Sequence, residues 1–376
     1  MCFKDMGFNN NLYEYKLPKG FEITLKYEFY INILLELYGL KVINTSGQNI
    51  LMTGGNSGLG FYSVINLLKS KNYIFIPIKS IQRKHDFLNK LYQYFEPNFL
   101  NNYLNIINEV DLSDLKNIKK ITKFLESKNI KLDILILNAG MQYTGSRYPK
   151  VSRQGIELTF AVNHLSHFVL TNNLIPLMRI GPGKRIIVTS SDVHDPISPG
   201  GNIGLKAGLD NLVNFKEEIM GQFINFNADK SYKNSKLCNI LFAKELSRIL
   251  EKRQMEISII TWAPGLVIPE DDLGFFRYSS KFNKIGYQIF ATLANRILGI
   301  SENVKDAGDL LYSIVMEKDF NDIKYVHLSN RLISYRKHKL KKTNVSEEAN
   351  DSCLSKKLWD LSVEICDSFK ITLVDI

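Results

Sequence analysis

Short apolar runs alternate with amphipathic helical stretches through the middle of the chain. The runs are almost wholly apolar, which is typical of strands buried on both faces of a parallel sheet. They predict strands at 48–53, 73–78, 105–110, 132–137, 185–190, 257–262 and 325–328. Because the stretches between the runs have helical character, helices are expected on both sides of the sheet. The pattern therefore predicts an α/β fold.

Three parts of the chain lie outside this alternation. The first 47 residues carry one apolar helical stretch, and residues 192–230 form a segment rich in Gly and Asn between a strand and a helix. A basic run, RKHKLKK, follows residue 330, and a helix is predicted from about 355 to 369. The expected organisation is an N-terminal extension over 1–47, a core domain over 48–330 and a C-terminal extension over 331–376.

The composition is that of an ordinary globular protein and excludes several classes. Of 376 residues, 45% are hydrophobic and 23% are charged, which excludes a disordered chain, a collagen and a coiled coil. The net charge of +10 favours anionic partners such as phosphorylated cofactors, acidic membrane surfaces or nucleic acid. We expect no nucleic-acid partner, because the basic run at 336–342 is short and has only Tyr335 as an aromatic neighbour.

Cysteines, histidines and targeting signals indicate a reduced compartment and no bound metal. The four cysteines form no CxxC pair, and a chain of this length does not need disulfides for stability. His164 and His167 form HxxH, but no Cys/His cluster has zinc spacing, so no metal site is expected. The N-terminus lacks the features of a secretory signal, and no stretch is apolar enough to span a membrane. A cytoplasmic location is expected.

A glycine-rich turn follows the first predicted strand. Residues 53–60 read TGGNSGLG, with a wider glycine spacing than the GxGxxG fingerprint. Glycines in such a turn let the backbone approach a pyrophosphate and let the next helix pack closely on the sheet. The N-terminus of that helix then faces the phosphates. A turn that binds no ligand is the alternative.

The second predicted strand is followed by cations. Many enzymes that use NAD place an acidic residue there to bind the ribose diol. Here the residues after Ile78 include Lys79, Arg83 and Lys84 and no acid. Cations at this position suit the 2′-phosphate of NADPH, so NADPH is expected rather than NADH. A solvated loop is the alternative.

Tyr232 and Lys236 are four residues apart on a predicted helix, so they share one face. A free tyrosine has a pKa near 10 and is a poor acid or base at neutral pH. A neighbouring ammonium favours the phenolate, and we therefore expect Lys236 to lower the pKa of Tyr232. Alone this pair is a weak signal, because helices contain many such pairs.

The motifs occur together in one order along the chain. After the glycine-rich turn come Asn138-Ala139-Gly140, Asn163-His164, Ser190-Ser191, Tyr232 with Lys236, and Pro264-Gly265, each at a predicted strand end or on a helix. In this combination, residues 48–330 resemble the short-chain dehydrogenase/reductase family. The resemblance implies a doubly wound Rossmann fold, with about seven parallel strands in a single catalytic domain.

The resemblance also implies a role for each matching residue. Tyr232 would be the general acid, and Lys236 would hold the nicotinamide ribose and tune Tyr232. Ser191 would hydrogen-bond the substrate oxygen, and Asn163 would keep a water that links Lys236 to bulk solvent. The implied cofactor-binding residues are Gly54, Ser57, Gly58, Leu59, Gly60, Asp111, Asn138, Ala139, Gly140, Pro264 and Gly265. For Asp111 a helix cap is the alternative.

Within the family, the chain looks most like the light-dependent protochlorophyllide reductases. The stretch VNHLSHFVLTNNL at 162–174, the sequence 228–239 around Tyr232, and residues 346–362 resemble parts of those enzymes. The long separation of Ser191 and Tyr232 also resembles theirs. In contrast, Leu266 stands where they carry cysteine. The resemblance therefore implies a protochlorophyllide-reductase-like protein, and it leaves the identity of the substrate open.

Residues 282–300 are a candidate for contact with a membrane or a bulky apolar ligand. Apolar residues recur every four positions from Ile285 to Ile297, and Lys284 and Arg296 lie near the ends. Such a helix suits peripheral contact with an anionic membrane, or the cover of an active site. An ordinary helix with its apolar face in the core is the alternative.

These features predict an NADPH-dependent oxidoreductase that reduces a bulky hydrophobic C=C or C=O substrate, with Tyr232 as the proton donor. One alternative is light-dependent protochlorophyllide reductase itself, in chlorophyll biosynthesis. An alternative of another class is a nonenzymatic NADPH- or pigment-binding protein. The complete set of Asn163, Ser191, Tyr232 and Lys236 argues against that class. The oligomeric state is left open.

Overall fold

The computed structural model describes residues 47–221, 223, 226–268 and 284–374. The N-terminal extension expected over 1–47, with its helical stretch, therefore lies outside the described residues except for Gly47. The start of the helix expected at 282–300 lies outside them too. Contacts group residues 45–376 into one compact unit, so the expected core domain and C-terminal extension belong to the same body.

Eight strands of the described residues form one sheet, in the order β3-β2-β1-β4-β5-β6-β9-β10. They are β1 Asn49–Thr53, β2 Tyr73–Pro77, β3 Leu104–Ile107, β4 Ile134–Leu137, β5 Arg185–Thr189, β6 Ser258–Ala263, β9 Tyr325–Ser334 and β10 Lys337–Lys342. All neighbours are parallel except β9 and β10, which are antiparallel. Two short strands, β7 Leu266–Val267 and β8 Ser301–Glu302, pair separately.

Helices cover both faces of the sheet. The α-helices are α1 Gly58–Lys69, α2 Ile81–Leu91, α3 Pro97–Tyr103, α4 Lys119–Ser127, α5 Leu158–Phe160, α6 Ser166–Leu174, α7 Phe215–Ile219, α8 Ala228–Lys252, α9 Lys284–Thr292, α10 Val304–Met316 and α11 Ser352–Ser368. π-Helical segments lie at Ala161–Leu165 and Leu293–Ile297. Short 3-10 helices lie at Leu115–Asn117, Ile175–Leu177, Asp192–His194, Asp210–Leu212, Lys318–Phe320 and Glu348–Asn350.

The core consists of one apolar layer on each face of the sheet. In β1, Leu51 belongs to the layer under α4, α6, α8 and α11, whereas Ile50 and Met52 belong to the layer under α1, α2 and α10. This two-sided burial explains why the strands read as continuous apolar runs. The strand order reverses between β1 and β4, and in such sheets ligands bind at the carboxyl ends of the strands near that point. The doubly wound Rossmann fold expected from the sequence is confirmed.

The basic run after residue 330 is a strand and not a tail. β9 extends to Ser334, and the chain turns at Arg336, with a φ of 56°, into the antiparallel strand β10. The sheet therefore has eight strands instead of the expected seven. β10 was missed because its pattern is polar: Lys337, Lys339 and Lys341 are exposed. Lysines on an edge strand also discourage pairing with other chains.

The C-terminal helix is part of the core. A helix was predicted from about 355 to 369, and α11 is found at Ser352–Ser368, where Asp351 accepts from the backbone N–H groups of Cys353 and Leu354. Leu358 and Ile365 are buried in the layer shared with α8. Residues 331–374 therefore complete the Rossmann fold, since they contribute an edge strand and a core helix.

Candidate active site

The glycine-rich turn joins β1 to α1 where the strand order reverses. Gly54 and Gly58 have φ of 68° and 56°, a region that favours glycine. A Cβ on Gly60 would lie 2.3 Å from the Gly54 carbonyl oxygen, so α1 approaches the turn too closely for a side chain. A Cβ on Gly58 would have no neighbour within 4 Å among the described residues. The turn is therefore closed at Gly60 and open at Gly58, which fits a pyrophosphate.

Ser57 and Leu59 have different surroundings within this turn. Ser57 is the extended N-cap residue of α1, and its side chain makes no capping hydrogen bond. Leu59 packs on the apolar layer, and its carbonyl oxygen would lie 2.7 Å from a Cβ on Gly308. Leu59 thus holds α1 against α10, while Ser57 lies at the N-terminus of α1.

Hydrogen bonds join the carboxyl ends of β1, β4 and β5. Thr53 Oγ1 accepts from the backbone N–H groups of Asn138 and Ala139, both at 3.0 Å. Asn138 Nδ2 donates to the Gly54 carbonyl oxygen at 3.3 Å, and Asn138 Oδ1 accepts from Thr189 Oγ1 at 3.2 Å. The network fixes Asn138 and Ala139 against the glycine-rich turn. Sequence analysis missed Thr53, whose signal was its place directly before the glycines.

Lys79 and Asp111 form an ion pair beyond the ends of β2 and β3. Lys79 Nζ lies 2.8 Å from Asp111 Oδ2, and the Lys79 side chain is 52% exposed. Asp111 Oδ1 also accepts from the N–H and hydroxyl of Ser113, at 3.0 and 2.7 Å. Burial acts to raise the pKa of Asp111, but the hydrogen bonds from Lys79 and Ser113 outweigh it and hold that pKa below its usual value. Asp111 therefore caps its own turn and also engages the cation expected to bind a 2′-phosphate.

Ser191 and Tyr232 meet beyond the end of β5. Ser191 is the N-cap residue of the 3-10 helix Asp192–His194, and its side chain hydrogen-bonds the Tyr232 phenol. Tyr232 lies in the first turns of α8, whose N-cap residue Asn227 accepts from the Lys230 N–H at 2.8 Å. Burial raises the pKa of Tyr232, the Ser191 hydrogen bond opposes this, and Asp229 adds to it. The phenol is therefore protonated at neutral pH.

Lys236 lies one turn after Tyr232 on α8, with its Nζ 5.7 Å from the centre of the phenol ring. The Nζ donates to the Thr189 carbonyl oxygen at 3.1 Å, and burial lowers the pKa of Lys236 to about 8. The sequence led us to expect that Lys236 would lower the pKa of Tyr232. In the structure the pKa of Tyr232 is raised instead, because burial of the phenol outweighs its other interactions.

Asn163 lies in the π-helical segment Ala161–Leu165 between α5 and α6. Its Oδ1 accepts from the Met141 N–H at 2.8 Å, and its Nδ2 donates to the Met141 carbonyl oxygen at 2.9 Å and to Ser235 Oγ at 3.0 Å. A Cβ on Gly140 would lie 3.4 Å from Lys236 Nζ and 3.7 Å from Asn163 Oδ1. Gly140 therefore lies against both side chains. Single π-turns inside α-helices are frequent at functional sites.

Pro264 and Gly265 follow β6 and contact Asn330 of β9. Asn330 Nδ2 donates to the Pro264 carbonyl oxygen at 3.2 Å. A Cβ on Gly265, whose φ is 83°, would lie 3.1 Å from the Asn330 carbonyl oxygen. Asn330 thus fixes the turn expected beside the nicotinamide. Sequence analysis missed it because nothing distinguishes this asparagine from others in the chain.

His164 and His167 are buried and neutral. His167 Nε2 lies 2.9 Å from Thr53 Oγ1, and its Nδ1 lies 3.2 Å from the Asn163 carbonyl oxygen. His164 Nε2 lies 3.1 Å from Ser362 Oγ of α11. Burial lowers the pKa of each to about 3. In the part of the chain that the structure describes, no group of three or more His, Cys, Asp or Glu side chains is arranged to hold a metal.

The apolar stripe expected at 282–300 lies on α9 and the π-helical segment Leu293–Ile297. Ile285, Ile289, Leu293 and Ile297 are all exposed. The alternative of a helix whose apolar face lies in the core is therefore wrong for this stripe. Across the described ranges, no helix is both long and apolar enough to cross a bilayer.

The glycine-rich turn where the strand order reverses, together with half-buried Ser191 and Tyr232 and buried Lys236, is an arrangement typical of α/β oxidoreductases. A family model described as short chain dehydrogenase matches residues 48–201. Retinol dehydrogenase 14 of Mus musculus is 31% identical over 227 residues, which are 59% of this chain and 61% of that protein. Chloroplastic protochlorophyllide reductase B of Hordeum vulgare is 26% identical over 87% of this chain and 80% of its own length.

Solved structures agree on the fold. The crystal structure of L-sorbose reductase from Gluconobacter frateurii, complexed with NADPH and L-sorbose, has a TM-score of 0.56 at 16% identity. The alignment covers 79% of this chain and 99% of that one. The chain belongs to the short-chain dehydrogenase/reductase family, as its motifs indicated, and is related to the protochlorophyllide reductases. It is an oxidoreductase of a fold that binds a nicotinamide cofactor.

Proposed function

We propose that this chain is an NADPH-dependent reductase of a bulky hydrophobic C=C or C=O substrate, with Tyr232 as the proton donor. The observation that carries the proposal is the hydrogen bond between Ser191 and Tyr232 at the carboxyl edge of the sheet, one helical turn from buried Lys236. A nonenzymatic binding protein has no need of a phenol, a hydroxyl and a buried ammonium placed together. Burying an ammonium costs free energy, and strongly shifted pKa values cluster at functional sites, which favours a chemical role.

The residues present fit a nicotinamide dinucleotide. The space beside Gly58 and the N-terminus of α1 would take the pyrophosphate. In the same arrangement, the adenosine ribose would lie along Asn138, Ala139 and Gly140, and Pro264 and Gly265 would lie beside the nicotinamide, which supplies the hydride when bound. Lys236 would hold the neighbouring ribose through its ammonium, next to Gly140.

Tyr232 holds the proton that the reduction needs. Because burial raises its pKa, the phenol carries its proton at neutral pH and donates it to the substrate atom that gains negative charge as hydride adds. Ser191, already hydrogen-bonded to the phenol, is placed to orient a substrate oxygen. The Lys236 ammonium then stabilises the phenolate that remains until it is reprotonated. Asn163 positions Gly140 and, through Ser235, the backbone of α8 at Tyr232.

NADPH is proposed over NADH because of the charges after β2. Lys79 is half exposed, and Ser80, the N-cap residue of α2, accepts from the Arg83 N–H at 3.4 Å. A 2′-phosphate at this helix N-terminus would meet the Lys79 ammonium and the positive end of the α2 helix dipole. The related L-sorbose reductase was solved with NADPH, which supports the same choice.

NADPH is expected to bind at least about tenfold more tightly than NADH, a difference of about 1.4 kcal/mol. Lys79→Gln should bring the two affinities to within about threefold, because it removes the cation and leaves Asp111 in place. An aspartate at 79 would instead lie against Asp111 and add repulsion of its own. Fluorescence titration of each cofactor measures the effect, with Lys69→Gln at the end of α1 as the control. Equal affinities in the unsubstituted protein would refute the assignment.

The proposed substrate is large and apolar. Two relatives are named for retinol and for protochlorophyllide, both hydrophobic molecules. In this chain, exposed apolar side chains lie on the segment after Ser191, at Ile203 and Leu205. An apolar substrate would bury such side chains and gain about 25 cal/mol per Å² of surface removed from water.

Light dependence distinguishes the leading proposal from protochlorophyllide reductase. Leu266, which begins β7 directly after Gly265, stands where the resemblance implies a cysteine, so a thiol is missing beside the proposed nicotinamide position. We therefore expect protochlorophyllide to bind but its photoreduction to be slow or absent. Protein, NADPH and pigment are mixed in darkness and illuminated, while chlorophyllide absorbance is followed.

Parallel reactions in darkness with retinal and smaller enones test the general proposal. Turnover of bulky enones or carbonyls in the dark is the expected result. Rapid light-dependent formation of chlorophyllide would make the chain a protochlorophyllide reductase of chlorophyll biosynthesis. Tight NADPH binding without turnover of any substrate would favour the nonenzymatic class.

Peripheral membrane contact is proposed through the exposed stripe of α9. Ile285 and Ile289 would enter an interface flanked by Lys284 and Arg296, a pattern that suits anionic lipid. The cytoplasm is the location that the cysteine usage favours. The related protochlorophyllide reductase B of Hordeum vulgare is named as chloroplastic, which favours the plastid as the alternative location.

A further inference from the structure

Two buried side chains hold residues 203–208, in the segment that follows Ser191, against the helix that carries Tyr232. The segment begins directly after Ser191 and returns at α8, so both of its ends lie at the Ser191–Tyr232 hydrogen bond. Lys233 and Asn234, the two residues that follow Tyr232, both contact this segment. Asn234 Oδ1 accepts from the Gly208 N–H at 2.9 Å.

Lys233 uses all of its hydrogen-bonding capacity on this segment and on its own helix. Its Nζ donates to the carbonyl oxygens of Ile203 and Leu205, the latter at 2.9 Å, and pairs with Asp229 Oδ2 at 2.9 Å. A lysine ammonium has three donors, and each has a partner here. The side chain is only 3% exposed. A buried ammonium is strongly unfavourable unless it is paired in this way, so the contact strongly fixes the backbone around Gly204.

The two residues whose carbonyl oxygens bind Lys233 have side chains that point to solvent. Ile203 is 72% exposed and Leu205 is 53% exposed. Their backbone is fixed by a buried cation, but their apolar surface is left uncovered. A ligand that packs on a backbone already ordered avoids the entropy cost of ordering it. This arrangement is that of a preformed apolar contact surface.

We infer that Lys233 is a positioning residue for substrate specificity, and that it presents Ile203 and Leu205 as an apolar surface for the part of the substrate remote from the reacting bond. The inference rests on the proposed function, because it takes the substrate to be bulky and apolar. Two consecutive residues of α8 then have different roles. Tyr232 supplies the proton, and Lys233 fixes the apolar surface that the substrate contacts.

Hydrogen exchange tests the first part without any turnover. In Lys233→Met, the amides of 203–208 should exchange at least about tenfold faster than in the unsubstituted protein, both saturated with NADPH. Lys305→Met is the matched control, because Lys305 also pairs with an acid four residues away, Asp309, but is exposed on α10. Unchanged exchange at 203–208 would overturn the role of Lys233.

Ligand binding tests the second part, and it uses a variant that keeps the buried ammonium. Ile203→Ala with Leu205→Ala leaves the backbone carbonyl oxygens and Lys233 in place. The dissociation constant of retinal for the NADPH complex, followed by fluorescence quenching, should rise about tenfold in this double variant and in a correctly folded Lys233→Met. A small enone should bind equally to all forms. Ile197→Ala is the control, because Ile197 is exposed on the same segment.

The outcomes separate this inference from the proposed function. An unchanged retinal affinity in the double variant, or no retinal binding by the unsubstituted protein, would overturn the specificity role. If retinal binds as expected but no substrate is turned over, the reductase proposal fails while the apolar contact surface stands. Where a substrate is found, the double variant should raise KM with kcat unchanged, since its contacts are remote from the reacting bond.

Discussion

Tyr232→Phe is expected to cut turnover by roughly 10²–10⁴ while NADPH binding and the fold stay nearly intact. The substitution removes only the phenol oxygen, which the mechanism needs as the proton donor and which hydrogen-bonds Ser191. Because burial raises the pKa of this phenol, no part of the activity at neutral pH depends on a phenolate in the resting enzyme. Initial rates with a dark-active substrate, together with cofactor titration and thermal melting, measure the effect.

Tyr325→Phe is the matched control for that loss. Burial also raises the pKa of Tyr325, and its phenol lies 2.9 Å from Thr261 Oγ1. Tyr325 is the first residue of β9, so it lies at the amino ends of the parallel strands, whereas the site lies at their carboxyl ends. The control should lose some stability, about 1 kcal/mol for the hydrogen bond, and keep its turnover. Full activity of the Tyr232→Phe variant on the physiological substrate would remove Tyr232 from the mechanism.

Most of the sheet could be predicted because burial on both faces leaves a strong signal. The first six apolar runs correspond to β1 to β6, with ends that shift by a few residues. β10 could not be predicted, because an edge strand needs apolar residues on one face only. In β10 the side chains of Lys337, Lys339 and Lys341 are exposed to solvent. The π-helical segment at Asn163 has no signature in composition, since it depends on how α5 and α6 pack.

The placement of the candidate residues could be predicted, but not their electrostatics. The order of the motifs, through the family resemblance that they carry, was enough to expect Asn163, Ser191, Tyr232 and Lys236 at one edge of the sheet, and their roles are proposals. The direction of the Tyr232 pKa was not predictable, because it depends on burial, which follows from tertiary packing. For the same reason, sequence reasoning could not pair Lys79 with Asp111, which lies beyond the end of the neighbouring strand.

The contacts of Lys233 likewise could not be predicted from the sequence. In the sequence it is one lysine among several near Tyr232, and it reads as a solvated helix residue. Its function is visible only where the chain returns and places two backbone carbonyl oxygens within reach of its ammonium. Long-range contacts of this kind carry the part of specificity that a local motif does not encode.

Lys236→Met is expected to abolish turnover and yet stabilise the fold at neutral pH. Burial lowers the pKa of Lys236 to about 8, against 10.5 for an exposed lysine. A difference of that size corresponds to about 3 kcal/mol of unfavourable free energy when the buried group is protonated. Methionine has a similar shape and no charge, and it loses one hydrogen bond to the Thr189 carbonyl oxygen, worth about 1 kcal/mol. The net gain is therefore about 2 kcal/mol at pH 7.

The pH dependence gives this prediction its sharpest test. Below about pH 8, Lys236 is protonated in both the folded and unfolded states, so the full penalty of its burial is present. Between about pH 8 and 10.5 the unfolded state binds more protons, so the free energy of unfolding gains a contribution that rises with pH. The advantage of Lys236→Met, measured by urea unfolding, should therefore be largest at pH 7 and should disappear by about pH 10.

Lys244→Met is the control on the same helix. The pKa of Lys244 is also lowered by burial, but its side chain is only partly buried and donates to Asn350 Oδ1, away from the site. This variant should keep its turnover and change the unfolding free energy by less than Lys236→Met does. A Lys236→Met protein that is less stable than the unsubstituted chain at every pH would show that the ammonium stabilises the site instead of straining it. The folded chain would then hold Lys236 by its hydrogen bond, and the loss of turnover would no longer separate a catalytic role from a structural one.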